Sequence, residues 1–143
     1  MEIGLSMLYY WAAYFTATII GIFHTIYNWK VLKIDTHTEK GTKPSLSPAY
    51  LKTKPFHVLY NIVLFPIAAY LYFQATVLSN LWLEALVLAV TWAGITILID
   101  WIGWVVIKHP WSMTYKEMYV DYQPWITLIY VVIFVSPFIA ILF

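Results

Sequence analysis

Four stretches of the chain are almost free of charge, and short polar segments separate them. They run from Gly4 to about Trp29, from Phe56 to about Leu78, from Leu81 to about Ile107, and from Trp125 to Phe143. The first, about 26 residues, would make roughly 39 Å of helix, enough to cross a ~30 Å hydrocarbon core with tilt. Tyr9, Tyr10, Trp11 and Tyr14 crowd one end of it, and Tyr27 and Trp29 mark the other, as interfacial aromatics do. Pro66 and Pro137 predict kinks in the second and fourth runs. Ser79-Asn80 predicts a tight turn. In the loop Lys30 to Pro55, Ser47-Pro48 reads as an N-cap and first helical position, so a short surface helix is expected there. In the loop Lys108 to Gln123, Ser112 is placed to cap another, through Tyr115 to Tyr119. The expected fold is therefore an all-α integral membrane protein. It has four transmembrane helices as two tandem hairpins, with a short interfacial helix in each polar loop, in one domain spanning 1–143.

Composition strengthens this. The 143 residues are 62% hydrophobic and 20% aromatic but only 10% charged, where a soluble domain carries about a quarter. Net charge is +1, and there is no Arg and no Cys. Bulk charge thus implies no nucleic-acid partner, and disulfides, thiolate metal sites and c-type haem attachment are excluded. All eight Lys lie in or at the edges of the two loops. The positive-inside rule then predicts cytoplasmic loops and both termini outside, in a multi-pass plasma-membrane protein bounded by lipid. The first run lacks a basic leader and is too long for a signal peptide, so it is expected to be a retained helix. His37, within the Lys-rich loop, is expected to be solvated.

Chemistry concentrates in one layer. Phe23-His24-Thr25-Ile26-Tyr27-Asn28 closes the first run, and the near-copy Phe56-His57-Val58-Leu59-Tyr60-Asn61 opens the second. His and Asn four apart share a helix face. Opposed helices would bring the two copies to one side of the bilayer. His24, Asn61 and Asp100 are expected roughly 9 to 12 Å inside the loop-side helix ends, with Asn28 and His57 shallower. An internal duplication of 1–78 and 79–143 is consistent with Lys43-Pro44/Ser47/Tyr50 against Lys108-His109-Pro110/Ser112/Tyr115. It is also consistent with Pro55-Phe56 against Pro124-Trp125, and it would place His24 opposite Asp100. Gly21, Gly94 and Gly103 permit close helix approach, but none is expected to found a small-xxx-small packing motif.

A carboxylate within hydrocarbon costs at least ~2.5–3.5 kcal/mol, so Asp100 needs a reason to be there. Three readings remain open. The layer is an interhelical network fixing register; or a substrate or proton site with Asp100 paired to His24; or a haem or metal site using His24, His57 and His109. No phosphate loop, nucleophile elbow, zinc-binding helix motif or carboxylate pair signals an enzyme. The leading expectation is a transporter or channel-like protein, homo-oligomeric because four helices make a thin wall. The alternatives are an accessory or scaffold subunit of a larger membrane complex, and then a haem- or metal-binding protein.

Overall fold

The computed structural model describes residues 2–35, 43–77 and 79–143; His37 lies outside them. Helices are the regular structure of the described residues, with α1 (Ile3–Lys30), a 3₁₀ turn (Pro44–Leu46), α2 (Pro48–Ala75) and α3 (Leu81–Asp100). A π-helical turn (Trp101–Val106) continues α3, and α4 (Tyr115–Tyr119) and α5 (Trp125–Ala140) follow. Three helices are long and apolar enough to cross a membrane: α1, α2, and α3 with its π turn. Helix α5 has 16 residues, about 24 Å.

The bundle is apolar outside and partly polar inside. Phe15, Ile19 and Phe23 on α1, Leu59, Val63 and Ile67 on α2, and Leu86, Val90 and Leu98 on α3 are all exposed. Ser6, Thr25, Asn28, Asn61, Thr96, Asp100 and Ser136 are buried. Water would penalise that exterior, whereas lipid solvates it and forces polar groups to pair inward.

Neighbours pack α1 on α2, α2 on α5 and α5 on α3. Small residues were not expected to organise this packing, yet two stripes do. Ala13, Ala17 and Gly21 are buried on α1, and Ala85, Ala89 and Ala93 on α3. Spaced by four, they present one flat face each and allow close approach. Alanine supplied the stripes, with glycine at one position.

Helix α2 departs from expectation. Ser47 caps it, accepting the Tyr50 N–H, and Pro48 sits in its first turn. The helix then runs straight through Pro55, so the expected surface helix is the opening of the second long helix. Proline removes one donor there, but α1 secures the turn independently. Asn28 Nδ2 donates to the Ala49 carbonyl (3.1 Å) and to Thr53 Oγ1 (3.0 Å). Thr53 Oγ1 donates to the same carbonyl, and Thr25 Oγ1 to Thr53. In the second loop Thr114 replaces Ser112 as the cap, in a reciprocal capping box with Glu117. Lys43 Nζ pairs with Glu117 Oε2 at 3.2 Å and ties the two loops together.

Candidate functional site

The half of the bundle nearer the termini is solid. Tyr10, Phe65, Tyr72, Leu88 and Trp92 are fully buried there, and Phe65 and Tyr10 both meet the Trp92 ring. A ladder of side-chain hydrogen bonds joins α1 to α3. Trp92 Nε1 donates to Ser6 Oγ (3.1 Å), Tyr10 and Thr96 share one bond (3.0 Å), and Tyr14 Oη donates to Asp100 Oδ1 (2.8 Å). Each rung advances four residues on both helices, so α1 and α3 run in the same direction.

Below the last rung the bundle opens into a cavity of about 360 Å³. Tyr14, Thr18, Gly21 and Thr25 line it from α1, and Tyr50, His57 and Asn61 from α2. Thr96, Asp100 and Trp104 line it from α3 and its π turn, and Ile126, Ile129 and Ile133 from α5. The second loop covers it with His109, Trp111, Met113, Met118 and Tyr122. The π turn shapes this end. Its freed carbonyls are bonded from the loop: Gly103 by His109 Nε2 (2.8 Å), Trp104 by the Met113 N–H (2.7 Å) and Val105 by Lys108 Nζ (2.9 Å). A π turn widens the helix and redirects its side chains, and this one begins immediately after Asp100.

Asp100 is 6% exposed. Its second oxygen accepts from Tyr130 Oη at 3.1 Å. Both tyrosines are neutral phenols, the Trp104 indole is a further hydrogen-bond partner, and Asp100 forms no ion pair with a described residue. His57 Nδ1 is bonded to Tyr122 Oη, and its Nε2 lies against Gly21, where any Cβ would meet it. Asn61 Nδ2 donates to the His57 carbonyl (2.6 Å). His109 has both ring nitrogens engaged, Nε2 donating to Gly103 and Nδ1 accepting from the Trp111 N–H; this is the neutral tautomer. Burial holds the Tyr122 hydroxyl well above the ordinary phenol range, so it stays protonated.

The structure brings together Asp100, His57, Asn61 and His109. His24 stands apart. Its Nδ1 is bonded to Tyr60 Oη, its ring packs on Phe56, and it does not line the cavity. The expected pairing of His24 with Asp100 is therefore replaced by Tyr14 and Tyr130. Three residues past Gly21, which lines the cavity and lies against His57, a rotation of about 300° turns His24 off that face of α1. Asn28 is likewise outside the cavity and acts as the clamp on the start of α2. Among the described residues no group of three His, Asp or Glu side chains stands where it could hold a metal ion. The tyrosines around Asp100 were missed because Tyr14 read as an interfacial anchor. The fourfold spacing of Ser6, Tyr10 and Tyr14 against Trp92, Thr96 and Asp100 was the signal that was available. No family model, no curated protein and no solved structure matches this chain.

Proposed function

We propose that the chain is a small plasma-membrane transporter. Its four helices cross as two tandem hairpins with both termini outside. A small solute enters the cavity from the Lys-rich cytoplasmic side, and Asp100, His57 and Asn61 are its polar contacts. The carrying observation is the position of the cavity. It holds a buried carboxylate at the loop end and is plugged towards the termini by the fully buried Tyr10–Phe65–Trp92 cluster. We read this as a state in which a solute reaches the cavity past the second-loop cover, and breaking the ladder between α1 and α3 would open the other side. Four helices leave little wall around such a path, which favours a homo-oligomer.

The absence of native Cys makes the test clean. In sealed vesicles, Thr18→Cys in the cavity wall should react with a membrane-impermeant thiol reagent applied on the loop side, and Ala69→Cys in the plug should not. Equal inertness of the two variants would turn the polar layer into sealed packing. Cells carrying Asp100→Asn should then be screened for lost accumulation or efflux across a panel of small solutes. Unchanged fluxes would remove Asp100 from the transport path. A second reading, an accessory subunit of a larger membrane complex, is favoured by the upper rungs of the ladder, whose groups satisfy one another internally. On that reading Asp100→Asn alters co-purification with a stoichiometric partner and no flux. A haem or metal site is the weakest reading, since His109 has no free ring nitrogen and His24 and His57 are both bonded to tyrosines.

A further inference from the structure

We infer that the cavity selects a lipophilic organic monocation, an ammonium group carried on one apolar ring or short chain; this rests on the reading of the cavity as a solute site. The charge inventory comes first. Among the described residues lining the cavity, Asp100 is the one acid, and none is Lys. His109 is neutral by its hydrogen bonds. An anionic solute would meet a carboxylate in the wall, and the buried Lys54 beside it is engaged over the Tyr122 and Tyr50 rings.

The second observation is the way Asp100 is held. Tyr14 and Tyr130 each donate to a different oxygen and so fix the carboxyl in place at the edge of the cavity. A carboxylate offers about four acceptor positions, so with Tyr14, Tyr130 and Trp104 engaged about one is left for a ligand N–H or for the field of a quaternary centre. The charge is uncompensated by any described residue, which is the condition under which a buried acid serves as a ligand counter-ion.

The third is the wall. Tyr14, Trp104 and Trp111 line the cavity, and aromatic faces attract desolvated cations; the Tyr122 and Tyr50 rings already carry Lys54 Nζ, at 4.4 and 5.9 Å from their centroids. The α5 side supplies the isoleucines 126, 129 and 133, which suit an apolar body. A hydrated metal ion is disfavoured by the same inventory, because hard cations want six or more oxygen ligands. The volume, about 360 Å³, lies at the small end of the range for organic ligands, so one ring fits better than several.

The experiment uses the full chain purified in detergent, with three probes of matched size: 2-phenylethylammonium, 2-phenylethanol and phenylacetate. Calorimetry gives the affinities, and fluorescence of the cavity tryptophans gives a second readout. The ammonium should bind saturably and at least about tenfold more tightly than the alcohol, with phenylacetate not binding. Asp100→Asn should weaken the ammonium about tenfold and leave the alcohol unchanged. Because Asp100 also bonds two tyrosines and Trp104, Trp111→Leu serves as a second variant and should weaken the ammonium more than the alcohol. Equal affinity for ammonium and alcohol overturns the cation selectivity while leaving the cavity a binding site. Binding of none of the three, with Thr18→Cys still reactive, also overturns it and leaves the cavity open to another solute class. Binding of none with Thr18→Cys inert removes both the selectivity and the cavity reading.

Discussion

Gly21 shows how closely one side chain is fitted into this bundle. A Cβ there would stand 2.8 Å from His57 Nε2 and 3.2 Å from its Cδ2. In an ordinary helix, Gly→Ala gains about 1 kcal/mol from propensity. Here the imidazole cannot easily retreat, because Nδ1 is bonded to Tyr122 and the ring lies edge-on to Tyr50. Overpacking of this kind costs about 1–3 kcal/mol, so Gly21→Ala should destabilise the protein and lower its melting temperature in detergent. In a His57→Ala background the clash is gone, and the same substitution should become neutral or stabilising. Equal shifts in the two backgrounds would show that His57 is not what excludes the methyl group. The residue scale is also where sequence reading was weakest. His57, Asn61 and Asp100 were legible as polar groups within apolar runs. His24 was legible in the same way, yet it faces Tyr60, because a shared depth does not fix a shared direction.

At the scale of elements, the long apolar helices were legible because hydropathy reports burial in lipid directly. What hydropathy does not carry is where one helix hands over to a loop. Pro55 read as a boundary, and the structure runs through it because Asn28, Thr25 and Thr53 hold the first turns of α2. The π turn after Asp100 left no mark in the apolar pattern either. The cover over the cavity, α4, is five residues long and too short to hold itself together. It depends on the capping box at Thr114 and on the Lys43–Glu117 pair. Burial pushes the Glu117 carboxyl up, but the Thr114 backbone N–H and Lys43 outweigh it and hold the pKa below the ordinary glutamate range. A depressed folded pKa stabilises the cover above the unfolded glutamate value, and that stability is lost as pH falls through the folded one. Hydrogen exchange at Tyr115–Tyr119 should therefore accelerate as pH drops below the usual glutamate range, after correction for the intrinsic rate. Glu117→Gln keeps the capping box but loses the charge pair with Lys43, so exchange should be moderately faster at neutral pH and show no further pH step. A pH step that survives in Glu117→Gln would assign the switch to another group.

Across the whole molecule, charge and packing are polarised along the same axis. Every Lys described lies at the loop end, whereas the termini end carries Glu2 and Glu84, the latter accepting from Tyr72 Oη at 2.5 Å. The cavity lies in the Lys-rich half and the aromatic plug fills the other, so the side from which the proposed solute would enter depends on how the bundle sits in the bilayer. Lysines are retained on the cytoplasmic side during insertion, and acids exert little pull in either direction. The bias is carried by both loops, so inversion would have to carry both sets of lysines across. Two exposed positions at opposite ends, Ser79 in the α2–α3 turn and Lys116 on α4, therefore make a decisive pair. With an impermeant thiol reagent on sealed right-side-out vesicles, Ser79→Cys should label at once, and Lys116→Cys only after permeabilisation. Reversed labelling would place the cavity mouth outside and turn the proposed cytoplasmic entry into uptake from the exterior. Labelling of both from one side would mean that the hairpins do not cross, and the one-sided cavity would lose its meaning as a transport intermediate. The expected result leaves Asp100 at the cytoplasmic end of a closed path, where opening requires the Tyr10–Thr96 and Ser6–Trp92 rungs to part.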